Sequence, residues 1–337
     1  MKKENLKALD IIKLIMSLFV VSIHTEPLLG VEKNVIYDIW WVLAEIAVPV
    51  FFISTGYFIT REYRTTKKSY SFILKKYCIK YLKIYIVWSI IYLPLAVVYY
   101  IENKYTLIDA IKGYLWELVF SGQHYNSWIL WYILSSLYTF VVLWILFFII
   151  NKWSKGNIKI VLLFFSLIFM FAYIFMHIIR GLSDIHSFYR LFIGGVYIPI
   201  GMIVYDGLQM KELKRWICYP CLILSTIVSI LLRKLGGVAL AIFIVFTWIS
   251  AISFFILVIS SKVQIMKSTV GLRKVSGYVY YIHLWIWTIY YMTVYGKKQY
   301  GIDSFIVVVV VSLSVSTLWY KFLQKIDMRM SKKSLEP

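Results

Sequence analysis

The first long apolar stretch, residues 9–27, carries polar side chains that a membrane-spanning helix would normally exclude. Four of them are Asp10, Lys13, Ser17 and His24. At about 100° per residue, these four fall within a sector of about 60° on one helical face. An ionised side chain at the centre of a bilayer costs about 2.5–3.5 kcal/mol on insertion scales, so such a face must turn toward a protein interior or a water-filled cavity. We therefore predict that this polar stripe lines a functional cavity.

His24 is the candidate general base of the stripe. It is followed closely by Glu26 and a proline, and a rise of about 1.5 Å per residue from Lys7 puts it near the outer face of the membrane. An imidazole titrates near neutral pH and can take a proton from a hydroxyl. Asp10 and Lys13 are three residues apart and can pair with each other. The alternatives are an interfacial ion pair for these two residues and a packing role for the histidine.

The composition indicates a polytopic membrane protein of the all-α class. Of 337 residues, 61% are hydrophobic and 19% are aromatic, and long apolar stretches recur along the whole chain. About 20 apolar residues in a helix cross the hydrocarbon core. We predict a single membrane domain over residues 1–337 with about ten transmembrane helices. Their approximate bounds are 8–29, 36–59, 79–101, 127–150, 158–179, 188–205, 214–232, 237–260, 275–295 and 302–324.

The formal net charge of +20 follows the predicted topology. Most Lys and Arg residues lie in segments that are inside if the N-terminus is cytoplasmic, so the positive-inside rule places both termini in the cytoplasm and 102–126 outside. We expect the basic charge to contact anionic lipids of the plasma membrane rather than nucleic acid. The three cysteines fall at predicted cytoplasmic helix ends without a close His or acidic residue, so we expect neither a structural disulfide nor a metal site.

The polar stripe resembles the first-helix signature of the membrane acyltransferase-3 family, in which an aspartate and an arginine precede a histidine at this spacing. Four further segments resemble family motifs in the same order along the chain. They are the aromatic run IAVPVFFISTGYFI (46–59), the basic FILKKYCIKYLKIY (72–85), the Trp-Tyr-Leu-like SWILWYILSSLY (127–138), and the late histidine helix GYVYYIHLWIW (277–287). The resemblance covers essentially the whole chain. Within the family, the sequence is similar in particular to the membrane half of vancomycin-type membrane serine racemases.

The sequence departs from the family pattern at a few positions. Lys13 stands where the family has arginine, which keeps the charge and loses the bidentate geometry. Thr55 separates Ser54 from Gly56, so the family's Ser-Gly pair is displaced. Lysines replace the paired arginines of the basic segment. These departures bear on the donor site more than on the fold.

The resemblance implies an enzyme that moves an acyl group, commonly acetyl, from cytoplasmic acetyl-CoA or another acyl-CoA to a hydroxyl of a cell-envelope or exported glycan. No metal is expected to take part. His24 would remove the proton from the acceptor hydroxyl, and Lys13 or a nearby donor would steady the oxyanion. A relay through an acyl-histidine is the other route. Separate envelope-biosynthesis proteins are expected as partners.

The basic segment is the candidate donor site. Lys76, Lys80 and Lys83 replace the arginines of the family, and several ammonium groups suit the phosphates of CoA. The alternative is that the segment only sets the topology and binds lipid headgroups. Both functions can hold at once.

Aromatic and polar side chains of two other predicted helices are candidates for substrate binding. His283 shares one face of the ninth helix with a serine, a tyrosine and a tryptophan, an arrangement that is also common in plain packing. Trp131 and Tyr132 open the fourth helix. Aromatic walls with a few hydroxyls hold sugars, while Trp and Tyr at a membrane boundary also form aromatic belts.

Glu45 and Arg190 complete the predicted substrate site. Glu45 lies within the second predicted helix without a near partner in the sequence, and it could meet Arg190, Lys13 or a substrate. Arg190 opens the sixth predicted helix on the outer side, where the family often places an arginine–asparagine pair. Three other histidines fall in or beside predicted outer loops, where we expect them to be solvated: His124, His177 and His186.

Two alternatives from other functional classes use the same residues. A permease for a small polar solute such as serine would use the polar stripe as its path. A transporter should show inverted repeats and broken helix pairs at matching positions, whereas Gly194-Gly195 and Gly236-Gly237 do not correspond. A non-catalytic subunit for polymer binding or export is the third interpretation.

Overall fold

The protein is described by a computed structural model that covers residues 6–31, 34–123, 127–153, 158–180, 188–209, 214–233, 235, 238–261, 268–293 and 300–333. Its helices in chain order are α1 (Lys7–Thr25), α2 (Val35–Glu45), α3 (Ala47–Thr66), α4 (Tyr70–Glu102), α5 (Leu107–Phe120), α6 (Leu130–Trp153), α7 (Ile158–Arg180), α8 (Phe192–Gln209), α9 (Arg215–Leu232), α10 (Val238–Ser260), α11 (Val270–Thr293) and α12 (Ile302–Lys333). A 3-10 helix, Phe188–Leu191, leads into α8.

The prediction of an all-α polytopic membrane protein is confirmed. Within the described ranges, nine helical stretches are long and apolar enough to cross a membrane, with α2 and α3 counted as one stretch. A helix, α11, also lies over the ninth predicted span. It is not one of the nine stretches, and tyrosines, tryptophans and a histidine make up about a third of its length. The cytoplasmic location of the termini stays a prediction.

Two features of the helix order differ from the sequence prediction. The second predicted span is divided at Ile46, which separates α2 from α3. The segment 102–126, which the sequence places outside as a loop, contains the helix α5. Thr106 caps α5, because its Oγ1 accepts a hydrogen bond of 3.2 Å from the backbone N–H of Asp109 and donates one of 2.7 Å to the Asp109 carboxylate.

The chain forms two compact units. The small unit joins the two ends of the chain, Lys2–Ala47 and Ser261–Pro337, and contains α1, α2, α11 and α12. In it, α1 packs against α2, α11 and α12, and α11 packs against α12. The large unit, Val48–Ser260, contains α3 to α10. In it, α6 packs against α4 and α8, α7 packs against α8, and α9 packs against α10.

Two glycines let α3 and α8 of the large unit approach each other closely. A Cβ on Gly56 would lie 1.9 Å from the carbonyl oxygen of Ile198, and a Cβ on Gly201 would lie 2.0 Å from that of Ile53. No side chain fits at such distances, so glycine is required at both positions. Small residues of this kind allow backbone contact between membrane helices.

Candidate functional site

Asp10 joins α1 to α11 within the small unit. Its side chain is only 2% exposed. Its Oδ2 accepts a hydrogen bond of 2.8 Å from Oγ1 of Thr269, the residue directly before α11, and its Oδ1 lies 4.0 Å from Nε of Arg273. The spacing along α1 suggests Lys13 as a partner, and the structure adds a hydroxyl and a guanidinium from Thr269 and α11. The buried carboxylate is therefore a link between helices.

The hydroxyls along this helix pair bond to main-chain carbonyls. Oγ of Ser276 in α11 donates a hydrogen bond of 2.8 Å to the carbonyl oxygen of Lys13, which adds a second link between the two helices. Oγ of Ser17 donates one of 2.7 Å to the carbonyl of Leu14 within α1. Both serines are buried. The predicted faces of α1 and α11 thus meet each other along the middle of the small unit.

His24 and His283 come together at the far end of the same helix pair. Their ring centroids are 5.3 Å apart, and the ring planes are inclined by 33°. Nδ1 of His283 lies 3.1 Å from the carbonyl oxygen of Val279. Because a carbonyl oxygen only accepts hydrogen bonds, Nδ1 carries the proton, and Nε2 of the neutral ring keeps a lone pair.

Nε2 of His283 is the histidine nitrogen among several buried polar atoms that have no hydrogen-bond partner in the described part of the chain. His283 is fully buried, and among the described residues its Nε2 has no hydrogen-bond partner. Buried polar atoms are nearly always hydrogen-bonded, so an exception calls for an explanation such as a ligand or a catalytic role. His24 is half-buried by comparison. The pair therefore presents one accessible imidazole backed by a buried one with a free lone pair.

Glu26 lies just beyond His24 at the end of α1. It adopts a left-handed conformation with φ of 41°, which stops the helix. The carbonyl oxygen of Thr25 accepts a hydrogen bond of 2.9 Å from the backbone N–H of Gly301, which places the start of α12 beside the end of α1. Burial raises the pKa of the nearby Tyr300 phenol, and the negative charge of Glu26 raises it further. Glu26 is thus a charged group at the histidine end of the small unit.

The four residues predicted to be catalytic divide between the two ends of α1. Because α1 is one continuous helix, Asp10 and His24 lie about 21 Å apart along its axis, and Lys13 and His24 about 16 Å. A lysine side chain is much shorter than that separation, so we do not retain Lys13 as the group that steadies an oxyanion at His24. Glu26 stays beside the histidines. The catalytic role of His24 stays a prediction.

Tyr132, a predicted substrate residue, belongs to a cluster of hydroxyls in the large unit. Its hydroxyl oxygen lies 3.3 Å from Oγ1 of Thr55, and the hydroxyl oxygen of Tyr81 lies at the same distance from that atom. Thr55 donates its own proton to a main-chain carbonyl of α3. Because the Thr55 proton goes to that carbonyl, Oγ1 of Thr55 is available as an acceptor for the two phenols. Its neighbour Trp131 lies with its ring centroid 6.0 Å from that of Phe52.

Arg190 follows a buried aromatic cluster of the large unit. The hydroxyl of Tyr189 lies 3.1 Å from Nδ1 of His177, and the His177 ring stacks on Tyr173 with centroids 5.3 Å apart. The expectation that His177 is solvated is wrong, because this end of α7 packs inward against the 3-10 helix. Arg190 itself is half-buried. The other two histidines of that expectation, His124 and His186, lie outside the described residues.

The predicted donor lysines lie exposed along α4. Nζ of Lys76 forms an ion pair of 2.7 Å with Oε1 of Glu62. Nζ of Lys80 lies 6.0 Å from the ring centroid of Tyr77. Lys83 is also exposed. One of the three positive charges is therefore partly neutralised within the large unit, and donor docking at these lysines stays a prediction.

The remaining titratable candidates are Glu45 and the three cysteines. Glu45 is the last residue of α2 and is half-buried. Cys78, Cys218 and Cys221 are free thiols. No three His, Cys, Asp or Glu side chains of the described residues come together in a way that could hold a metal ion.

Sequence reasoning missed Thr269 and Arg273 because it placed the start of the ninth helix at residue 275. The structure begins α11 at Val270, directly after Thr269. A threonine before a helical pattern is a start signal. A start at that point would have put Arg273 in the first turn, close to Asp10. Thr55 and Tyr81 were missed as partners of Tyr132 because no spacing in the sequence relates three helices.

The comparisons with known proteins agree with this architecture. The sequence profile of the acyltransferase domain family matches residues 6–321. The chain is 25% identical over 191 residues to an amino-acid racemase of Enterococcus faecalis, a match that covers 56% of this chain and 25% of that protein. The chain thus spans only about a quarter of the length of that relative. No solved structure matches the chain significantly. The chain belongs to the acyltransferase-3 family of multi-pass membrane acyltransferases.

Proposed function

We propose that the protein transfers an acyl group, with acetyl as the expected one, from acyl-CoA to a hydroxyl of a cell-envelope or exported glycan at the plasma membrane. The observation that carries the proposal is the pair of His24 and His283. Two imidazoles from different helices lie with their centroids 5.3 Å apart within the small unit, and Nε2 of the buried one has no hydrogen-bond partner among the described residues. Acyl transfer to a hydroxyl needs a base of this kind, because a neutral hydroxyl is a weak nucleophile.

His24 acts as the base in this proposal because it is the more accessible of the two rings. It takes the proton of the acceptor hydroxyl while the oxygen attacks the thioester carbonyl. The carbon–sulfur bond then breaks, and the proton passes to the sulfur of CoA as the thiol leaves. The proton taken from the hydroxyl is thus the one that the leaving thiol receives, and His24 returns to its starting state. No metal is needed for these steps.

His283 acts as a positioning residue. Its Nδ1–H is fixed by the Val279 carbonyl, so its Nε2 can only accept. A hydrogen bond from His24 to that nitrogen would hold His24 in the tautomer whose other nitrogen faces the acceptor. Partners of this kind orient a catalytic imidazole and raise its basicity in many enzymes.

Asp10 supports the pair from a distance. Its bonds to Thr269 and Arg273 fix α1 against α11, and the Ser276–Lys13 link fixes the same two helices again. The registration of the helices determines whether the two rings meet. We therefore propose that Asp10 positions the two helices. Lys13 remains part of the polar stripe of α1, without a role at His24.

Residues of the large unit are proposed, for that unit by itself, as contacts for the donor and the acceptor. Lys80 and Lys83 are the proposed contacts for the phosphates of the donor, because they are exposed and cationic. The uncharged hydroxyls of Tyr132 and Tyr81 beside aromatic rings suit a glycan. Trp131, Arg190 and Glu45 are further proposed substrate contacts.

Mass spectrometry of envelope glycans tests the proposal. Cells that carry the protein should show an acyl mass increment on one glycan, and cells without it should lack that increment. The wild-type protein should restore the increment, and His24→Gln should not, although it reaches the membrane in equal amount. If no acylated product depends on the protein while uptake of a solute such as serine does, the chain is a permease and the acyltransferase proposal fails for it.

A further inference from the structure

The helices α1 and α11 of the small unit run in the same direction, so the residues that follow the two histidines lie at one end of the pair. The early parts of both helices are linked through Asp10, and their later parts meet at His24 and His283. Glu26 follows His24 by two residues. Trp287 follows His283 by about one helical turn on the same face of α11, a rise of about 6 Å. These two residues therefore lie just beyond the imidazole pair.

Three aromatic rings form a cluster at this end of the small unit. The ring centroid of Trp287 lies 6.4 Å from that of Tyr291 and 6.2 Å from that of Tyr300, and the ring planes are inclined by 18° and 42°. Trp287 is 2% exposed, whereas both tyrosines are half-buried. A buried indole thus packs against two phenol rings that are still partly accessible.

Two carboxylates lie near the ring of Tyr300. The hydrogen bond of 2.9 Å from the backbone N–H of Gly301 to the carbonyl of Thr25 brings Tyr300 to the end of α1, where Glu26 follows. Burial and, after it, the negative charge of Glu26 raise the pKa of the Tyr300 phenol, so the two groups are close to each other. Oδ1 of Asp303 lies 2.8 Å from the position that a Cβ on Gly301 would take. A carboxylate has about four lone-pair sites, so Glu26 can accept from a ligand in addition to partners within the protein.

An aromatic ring beside a carboxylate is a combination that suits a sugar. The C–H groups on one face of a sugar ring pack on an aromatic face, and its hydroxyls donate charge-assisted hydrogen bonds to a carboxylate. A carboxylate has no proton to donate and repels an anion, so the same combination disfavours a negatively charged sugar. A belt of aromatic residues at a membrane boundary needs the rings but has no use for the carboxylate.

We propose that Tyr300 and Glu26 form a subsite for the sugar next to the one that is acylated at His24. The proposal rests on the function proposed above and narrows its acceptor to an oligosaccharide in which the adjoining sugar carries no negative charge. The ring of Tyr300 packs on the face of that sugar, and the Glu26 carboxylate accepts from its hydroxyls. Trp287 holds the Tyr300 ring in place. The rise of about 6 Å from His283 to Trp287 is comparable with the length of one sugar residue in a chain.

Glycan binding by the full-length protein in lipid nanodiscs tests the subsite. The probes are purified cell-envelope glycans of one to four sugars, both neutral and uronate-containing, and the tightest binder is then titrated by calorimetry. Wild type should prefer neutral chains of two or more sugars. Tyr300→Ala should weaken binding about threefold to tenfold through loss of the aromatic contact, whereas Tyr300→Phe keeps the ring and should stay close to wild type. Glu26→Gln should weaken binding about tenfold or more and reduce the discrimination against uronate chains.

Tyr219→Ala is the matched control, because Tyr219 is an aromatic residue of α9 that is 57% exposed. It should bind glycans as wild type does, and a loss as large as that of Tyr300→Ala would overturn the proposal. A preference of wild type for uronate chains, binding to none of the probes, or unchanged binding in both Tyr300→Ala and Glu26→Gln would also overturn it. If binding depends on Tyr300 and Glu26 but no glycan is ever acylated, the proposed acyl transfer fails and the sugar site stands. If both variants transfer acyl groups at the wild-type rate, the subsite alone fails.

Discussion

The small and large units use buried polar side chains in different ways. In the small unit, titratable groups lie between helices at both ends of the α1–α11 pair, with Asp10 at one end and His283 at the other. In the large unit, neutral hydroxyls link the helices, as between Thr55 and Tyr132 or between Ser225 and Ser250. Neutral hydroxyl pairs stabilise membrane helices at modest cost, whereas ionisable groups at depth are costly and mark functional sites. This contrast is the reason why our proposal assigns the chemistry to the small unit.

His177 refines this comparison. It is a buried histidine of the large unit, yet Tyr189 satisfies its Nδ1 and Tyr173 stacks on its ring. His283 is buried as well, and its Nε2 has no partner among the described residues. Burial of a histidine is therefore not the signal for function. Our proposal rests instead on the Nε2 of His283, which has no partner among the described residues and lies beside the more accessible imidazole of His24.

The largest expected effect is on the rate of acyl transfer, which should fall when the histidines of the small unit are replaced but not when the buried histidine of the large unit is. His24→Gln should lower the rate of acyl transfer about 10²–10⁴-fold, because loss of a general base costs that much. His283→Gln should cost about 10–100-fold, as loss of an orienting partner does. The measurement is release of CoA by purified protein in proteoliposomes, with the acceptor identified by mass spectrometry. His177→Gln is the matched control and should stay close to wild type. Equal losses in all three variants would remove the distinction between the units.

The next effect concerns close packing in the large unit. Gly56→Ala places a methyl group 1.9 Å from the Ile198 carbonyl, so the α3–α8 contact must open. Overpacking of this kind costs about 1–3 kcal/mol, and the clash with backbone puts this variant at the upper end. Gly277→Ala in α11 is the control, since no atom lies within 4 Å of a Cβ there. Thermal unfolding in one detergent should show a large decrease for the first variant and none for the second. Similar decreases would mean that the close contact is not what requires Gly56.

A smaller effect on stability is expected when a buried ionic contact of the small unit is compared with an exposed one of the large unit. Asp10→Asn should lower the free energy of unfolding by about 1.5–3 kcal/mol, because a hydrogen-bonded buried carboxylate loses its charge. Glu62→Gln removes the exposed pair with Lys76 and should cost only about 0.2–1 kcal/mol. Thermal unfolding measures both. If Glu62→Gln proved the more damaging, Asp10 would lose its assigned role in holding α1 to α11.

The sequence is enough to predict where the helices lie, but it does not predict which helices pack against each other. Apolar runs of suitable length mark the spans directly. The division at Ile46 also has a local signal, since Pro49 sits in the first turn of α3, where proline is tolerated. The capping pattern of Thr106 and Asp109 likewise indicates the start of α5. A search for transmembrane spans does not find this helix, because its 14 residues are too few to cross the membrane.

The candidate site is predictable only in part for the same reason. The stripes of α1 and α11 follow from helical periodicity, and the structure brings them together at Ser276 and at the two histidines. The contact of Asp10 with Thr269 joins residues 259 positions apart, which no local pattern encodes. The tautomer of His283 depends on a backbone carbonyl, and periodicity says nothing about that either.

The smallest effect tests the role of the lysines in the large unit. Lys80→Gln combined with Lys83→Gln removes two exposed positive charges, and each should weaken binding of acetyl-CoA by about 0.2–1 kcal/mol. The remaining affinity should depend less on salt, because exposed charges are screened beyond about 10 Å at 0.1 M ionic strength. The matched control combines Lys76→Gln with Glu62→Gln, which removes an ion pair and leaves the net charge unchanged. Calorimetric titration in neutral lipid nanodiscs at two salt concentrations measures both variants. Loss of affinity in the first variant alone assigns the donor phosphates to Lys80 and Lys83. Unchanged affinity in both would leave these lysines to topology and lipid contact, and the large unit would then lack its proposed donor contacts.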